Sequence, residues 1–376
     1  MSRFEFEIEV EFELPTILML ENWLQAPKVA SIELSAWQFG TYIDTYEKDS
    51  FPNLQEAKVA LLGIGKETDN IRKYLYQMAF SFGKFQIADI GNLRNPTEEG
   101  LFPVVQELLA SKILPIIIST APHPFTAQYK AYQEKYKKLN LAIIDEKVVY
   151  HKNADSYLSL IRKVKRPRLA NLGYIGYQSH LSPADSIKYY HKKNYDCIRL
   201  GMAKSQMEQI EPAIRDANSL YFNLSALKKA EAPGVWHTSP SGFTSEEACR
   251  ICHYAGMNDK LSSIGFYGYC PEKDTLDRTA QLTAQLIWYL IEGVYFRKND
   301  FPVTTDGMIE YIVSFKEYDF NIVFWKSTKS GRWWMQAPAN SGKKKKGLIP
   351  CAYEDYLMAC KEQLSERILN IMERLA

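Results

Sequence analysis

From residue 57 to residue 297 the chain alternates short, almost wholly apolar runs with stretches of helical periodicity. The apolar runs are Lys58 to Gly65, Phe85 to Ile90, Ile113 to Ser119, Leu141 to Asp145, Leu169 to Ile175, Cys197 to Gly201, Leu220 to Leu224 and Ser263 to Tyr269. A strand wet on one face must alternate apolar and polar side chains, whereas a strand covered on both faces need not. Continuous apolar runs joined by helices therefore predict a three-layer α/β/α domain, with a mostly parallel sheet of about eight strands over residues 56–297. Ligands in such folds bind beyond the carboxyl ends of the strands. The loops following Ile118, Ile144, Leu224 and Tyr269 are where a site is expected.

Two segments of different texture flank this core. Residues 1–55 open with an arm, Met1 to Leu14, in which apolar and acidic residues alternate with the period of a strand, and continue into aromatic-rich Trp23 to Tyr42. Residues 298–376 predict two or three antiparallel strands (Tyr311 to Phe315, Asn321 to Lys326, Arg332 to Met335), then a charged loop at Lys343 to Lys346 and one final helix from Tyr353 to Leu375. Trp325, Arg332, Trp333 and Trp334 are residue types that anchor interfaces. They also suit a cover packed on the main domain, which is the reading preferred here.

Bulk properties exclude several classes. A formal charge of +2, from 46 basic and 44 acidic residues, gives no electrostatic footprint for nucleic acid or a membrane surface. No apolar run reaches the roughly 18 to 20 residues of a membrane span. The amino terminus lacks the basic start and continuous apolar stretch of an export signal, so a cytoplasmic protein is expected. Six cysteines at unrelated spacings do not form a disulfide framework. Cys249-Arg-Ile-Cys252-His253 matches the haem-attachment spacing, but it lies in an ordinary amphipathic helix pattern and that chemistry needs export. Gly63-Ile-Gly65-Lys66 lacks the further glycines of a phosphate loop.

One region carries more specific information. Ser219-Leu-Tyr-Phe-Asn223-Leu-Ser225 runs on to Ala232-Pro-Gly234 and to Ser239-Pro-Ser-Gly242-Phe243. This stretch resembles the signature of the ureohydrolases (arginase, agmatinase, formimidoylglutamase). Arg199-Leu-Gly201, Glu211-Pro-Ala-Ile-Arg-Asp216, Ser245-Glu-Glu-Ala-Cys249, Pro271-Glu-Lys-Asp274 and Arg332-Trp-Trp-Met335 follow in an order similar to a formimidoylglutamase-like branch of that family found in Bacteroidetes. The resemblance covers about residues 57–297 and implies an arginase-like fold. It also implies a pair of Mn²⁺ ions sharing a hydroxide that attacks a guanidinium or formimidoyl carbon.

The ligand motifs depart from that pattern. The family's first element ends in a histidine where this chain has Pro122, with His123 one place away. Its Asp-x-His-x-Asp element is Asp145-Glu146-Lys147-Val148-Val149, and its Asp-x-Asp element is Asn223-x-Ser225. Gly268 stands where a glutamate is common. Only Asp145 keeps an expected ligand, and a lysine among the former ligand positions repels divalent cations. Lys147 either pairs with Asp145 in place of a metal or extends into solvent.

The vestigial cleft is thus assigned to His123, Asp145, Lys147, Asn223 and Ser225, and a ligand pocket to Tyr177, His180, His237, Glu272 and Asp274. No residue is assigned a catalytic or metal-binding role. The expected function is that of a metal-free pseudoenzyme of the ureohydrolase family, acting as a binding or scaffold protein. The alternative is a Mn-dependent hydrolase of linear amidines built around Asp145, His123 and Asn223; a further one is a small-molecule sensor using the old cleft. No cofactor is expected except Mn²⁺ in the hydrolase reading. The expected partner is a protein or a small ligand rather than nucleic acid or membrane, and a homo-oligomer is plausible.

Overall fold

The computed structural model describes residues 17–29, 32–48, 50–121, 125–132, 136, 138–150, 156–164, 168–302, 304–316, 320–336 and 347–375. The amino-terminal arm, His123 and the Lys343 to Lys346 run lie outside these residues. Each of the eight apolar runs is a strand: β3 (Val59–Ile64), β4 (Ile87–Leu93), β5 (Leu114–Ser119), β6 (Leu139–Ile144), β7 (Leu169–Tyr177), β8 (Asp196–Arg199), β9 (Ser219–Asn223) and β10 (Ser263–Tyr267). Two further strands of two residues each, β1 (Leu24–Gln25) and β2 (Asp44–Thr45), come from the amino-terminal segment and pair along the outer edge of β4. The sheet therefore has ten strands rather than about eight, in the order β1-β4-β3-β5-β10-β9-β6-β7-β8 with β2 beside β4. All its pairings are parallel except that of β1.

Burial explains the patterning. Every residue of β3, β4 and β5 is buried, because helices cover both faces. Val59, Leu61, Ile116 and Phe222 face one core with helices Met207–Arg215, Ser245–Gly256 and Arg278–Tyr295. Ala60, Leu62, Ile117 and Tyr221 face the other, with helices Glu98–Ala110, Phe125–Ala131 and Tyr157–Lys163. Sequence order and sheet order diverge at the centre, where β10 and β9 insert between β5 and β6. That insertion makes β5, β10, β9 and β6 neighbours, so the four loops expected to carry a site open side by side.

Local departures have local causes. The helix expected over Asp69 to Phe82 stops at Tyr76. Met78 and Phe80 leave the helix to bond Phe39 and Trp37 through the backbone. The Ser182-Pro183 start does not cap through serine: the Ser182 hydroxyl donates to the Gln178 carbonyl and accepts from the Val148 amide, and the helix begins at Ala184. The helix expected over Ser205 to Asp216 begins at Leu200 and breaks at Gln206.

The carboxy-terminal part forms a separate antiparallel sheet of four strands rather than two or three: β11 (Met308–Phe315), β12 (Phe320–Ser327), β13 (Trp333–Gln336) and β14 (Leu348–Cys351). The final helix is two helices, Tyr353–Cys360 and Glu366–Leu375, separated by a turn in which Glu362 adopts φ 58°. Trp334 is buried, with the Arg215 guanidinium 4.4 Å from its ring, and Arg215 donates to the Cys351 carbonyl. Arg332 bonds the Met257 carbonyl and Arg367 reaches Asp196 at 2.6 Å. Trp334, Arg332 and Arg367 bind the main domain, whereas Trp333 packs in the small sheet's own core against Tyr311 and Tyr356.

One polar cluster fastens the amino-terminal side of the sheet. The Arg72 guanidinium, wholly buried, donates in bidentate fashion to Asp89 at 2.7 and 3.0 Å, and also to Asp69, Asn92 and the Gly91 carbonyl. Burial opposes its charge, yet Asp89 outweighs that cost and holds Arg72 above its ordinary value. Gly63 is required here: a Cβ would lie 1.8 Å from the Asn92 side-chain oxygen. Replacing Arg72 by methionine strands the Asp89 carboxylate in the core and is expected to cost about 3–5 kcal/mol in urea unfolding; a loss below about 1 kcal/mol would contradict the assignment.

Candidate functional site at the strand ends

Beyond the carboxyl ends of the four central strands, the groups converge on Asp145. This residue follows β6, is 4% exposed, and receives its place from a backbone bond to the Ile175 carbonyl on β7. Its Oδ1 accepts from the Glu146 amide at 2.7 Å and from the Asn223 side-chain nitrogen at 3.2 Å. Its Oδ2 lies 3.2 Å from the Tyr174 hydroxyl, which in turn reaches the Lys147 carbonyl at 2.6 Å. A phenol has a single proton, so the Tyr174 hydroxyl shares it between the Lys147 carbonyl and the Asp145 carboxylate.

The electrostatics agree with that geometry. Burial pushes the Asp145 carboxyl up to about 6, against the lowering effect of its hydrogen bonds and of Lys147. Glu146, also 4% exposed, is pushed up to about 7 by burial and then by the neighbouring Asp145. Tyr174 and Tyr157 are held well above the ordinary phenol value by burial and by the Asp145 charge. The Tyr157 hydroxyl is within hydrogen-bonding reach of both Asp145 and Asn223, and its ring packs edge-on against Phe125 at 4.7 Å. Two neutral tyrosines, Tyr174 buried and Tyr157 partly so, thus flank Asp145.

Asn223 ends β9 and cannot offer its oxygen outward. Its Oδ1 accepts from the Ser225 amide at 3.0 Å, which fixes the orientation of the side-chain amide and aims the NH₂ at Asp145. Ser225 is buried in the short turn that follows. Gly268 sits at φ 86°, and a Cβ there would come within 3.2 Å of the Asn223 oxygen. Lys147 is half-buried and makes no ion pair with Asp145 among the described residues; its charge acts at longer range. Of the two readings for Lys147, the direct pair is absent.

The expected pocket residues divide. Tyr177 is buried at the end of β7, and His180 lies exposed just beyond it. His237 is exposed on the loop after Trp236 and is pushed down, first by partial burial, then by the charges of Lys147 and Lys273. Glu272 is exposed and accepts from the Cys270 thiol at 3.4 Å. Asp274 caps the helix Arg278–Tyr295, its two oxygens accepting from the Thr279 and Ala280 amides at 2.8 and 2.9 Å. The Ala232-Pro-Gly234 turn packs on that cap so closely that a Cβ at Gly234 would lie 2.5 Å from the Asp274 Cβ. Asp274 is therefore structural. His123 is outside the described residues.

Three contributors carry no sequence signal for this place: Glu146, Tyr157 and Trp236. The Trp236 indole donates to the Thr120 carbonyl beyond β5 at 2.8 Å, and Lys273 donates to the Trp236 carbonyl at 3.1 Å, so the side chain spans the mouth between β5 and β10. Two Mn²⁺ ions would need several anionic oxygens or imidazoles with free lone pairs. Among the described residues, the groups at this point are the buried, hydrogen-bonded Asp145 carboxyl, the Glu146 carboxyl beside it, an amide presenting its NH₂, and a nearby lysine. They do not fit a metal pair. Among the described residues, no group of three or more His, Cys, Asp and Glu side chains is arranged to hold a metal ion.

The arginase family model matches residues 63–292. No curated protein matches the chain. Among solved structures, the chain is similar to a Trypanosoma cruzi formiminoglutamase with Mn²⁺, at 15% identity and TM-score 0.58, over 65% of this chain and 96% of that one. A formimidoylglutamase from Bacillus subtilis gives 13% identity and TM-score 0.59, over 72% and 96%. The agmatine ureohydrolase of Thermoplasma volcanium gives 17% and 0.51, over 65% and 92%. At these identities the likeness shows the fold.

A buried carboxyl raised from its ordinary value stabilises the fold fully below the unfolded value and loses that contribution as pH rises through the folded one. For Asp145 the window runs from about pH 4 to about pH 6. Asp145→Asn keeps the acceptor oxygen and supplies a permanent donor toward Tyr174. It is expected to be more stable than the parent at pH 8 by up to about 3 kcal/mol, with the gap closing by about pH 4. Urea unfolding across that range checks this; a gap that widens toward acid contradicts it.

Proposed function

The chain belongs to the arginase family, and we propose that within it this protein has given up metal-dependent hydrolysis and acts by binding, as a metal-free pseudoenzyme in the cytoplasm. The observation that carries the reading is the state of Asp145. The one acid kept from the family's ligand motifs is buried among tyrosines, receives an amide NH₂ from Asn223, and has its oxygens committed to hydrogen bonds. Lys147, in place of an imidazole, adds a repelling charge near the same point. Among the described residues no helix is long and apolar enough to cross a membrane. In this reading the protein takes no cofactor and engages a protein partner or a small ligand, with assembly into a homo-oligomer a further part of the proposal.

A second reading has one observation in its favour. The T. cruzi formiminoglutamase that the chain resembles in fold is described with Mn²⁺, and Asp145 and Glu146 put two acids at the matching strand end. On that reading the protein hydrolyses a linear amidine, such as formimidoylglutamate or a guanidino compound. The two readings separate in one assay. Purified protein supplied with Mn²⁺ is offered formimidoylglutamate, agmatine and arginine, and release of formamide or urea is followed. No turnover above the protein-free control is expected, and Asp145→Asn should leave that result unchanged. Turnover that Asp145→Asn abolishes would overturn the pseudoenzyme and establish the hydrolase.

A further inference from the structure

Between the ends of β7 and β8 lies a depression of about 210 Å³ whose lining includes Tyr177, Gln178, His180, Arg199, Gly201 and Ser241. Its walls hold one guanidinium, one imidazole and several hydroxyl and amide groups, but no carboxylate. Among the described residues the Arg199 guanidinium has neither an ion pair nor a hydrogen bond. Arg72, Arg215, Arg332 and Arg367, by contrast, are all tied to carboxylates or carbonyls. The mouth is open: a Cβ at Gly201 would meet nothing within 4 Å. The floor is rigid. Gln178 is 5% exposed, its amide donates to the Glu146 carbonyl at 2.7 Å, and its side-chain nitrogen donates to the Ser241 carbonyl at 3.1 Å.

We propose that this depression binds a small carboxylate-bearing molecule, with Arg199 as its fork-shaped anchor and His180 as a second donor. An unpaired guanidinium presents parallel N–H groups that match a carboxylate's two oxygens. The absence of acids in the lining removes the groups that would favour an amine or guanidine instead. The cavity's size suits a compact metabolite. The Arg199 charge also acts on the buried Tyr177 hydroxyl, lowering it against the larger effect of burial, and both residues line the depression. Because Gln178 bonds the Glu146 carbonyl, an occupant would be felt at the turn that carries Asp145. The site shares no residue with the Asp145 cluster and needs no metal, so it stands or falls separately from the proposed loss of hydrolysis.

The test is isothermal titration of protein stripped of metal on a chelating resin, at low ionic strength, with L-glutamate, citrate, inorganic phosphate and agmatine. Saturable binding of glutamate or citrate is expected, tighter than that of phosphate, with none for agmatine. Arg199→Ala should weaken it about tenfold or more, as loss of a charge-assisted hydrogen-bond pair does. Arg199→Lys should keep part of the affinity, and His180→Gln should cost less than Arg199→Ala. Both side chains are exposed, so the variants should melt with the parent when unliganded. Equal affinity in Arg199→Ala, tighter binding of phosphate or agmatine, or no saturable heat with either acid at millimolar concentration would overturn the proposal.

Discussion

Asp145 sits where β6, β7 and β9 end together, and among the described residues no cation contacts it directly, so the groups around it are hydrogen-bond donors or neutral dipoles. A buried carboxylate is tolerated in a protein interior only when it is paired, hydrogen-bonded or protonated. Here the second solution holds at neutral pH, and the third joins it as pH falls through about 6. The Glu146 amide and Asn223 supply donors, and Tyr174 and Tyr157 close the space without adding charge. The same contacts lock the strand ends to one another: Asp145 reaches Asn223 on β9, and its backbone holds the Ile175 carbonyl on β7. Hydrogen bonds between protein groups thus tie these strand ends together.

The surroundings follow from that arrangement. Asn223 turns its oxygen inward to its own turn, Gly268 clears room for it, and Trp236 spans the mouth from Thr120 to Lys273. The acids expected in a ligand pocket are engaged elsewhere: Asp274 caps a helix, and Glu272 faces solvent with the Cys270 thiol. Sideways along the sheet, toward β7 and β8, lies the depression lined by Arg199 and His180, with no acid in its lining.

How much could be read in advance depended on the physics behind each feature. The eight central strands were legible because a doubly covered strand leaves an unbroken apolar run. β1 and β2, two residues long, leave no periodicity at all, and β14 hides behind Pro350. The break between the last two helices has neither glycine nor proline to announce it; Glu362 simply adopts a left-handed turn. In the site, a departure from the implied ligand motifs could be read because Asn223, Ser225 and Lys147 differ chemically from aspartate and histidine. What took their place was not. Tyr157 arrives on a helix between β6 and β7, and its role depends on packing against Phe125 rather than on any spacing. Asp274 came close to being legible as a helix cap, but Leu276 and Asp277, both left-handed, set it back from the helix start.

The most direct test of the proposed loss of metal is thermal unfolding of chelator-treated material with and without millimolar Mn²⁺, with bound metal assayed in parallel. A specific site filled to about 1,000 times its dissociation constant would stabilise the fold by about 4 kcal/mol. The Asp145 arrangement predicts superimposable melting curves and no stoichiometric manganese. A clear upward shift together with bound metal would contradict it.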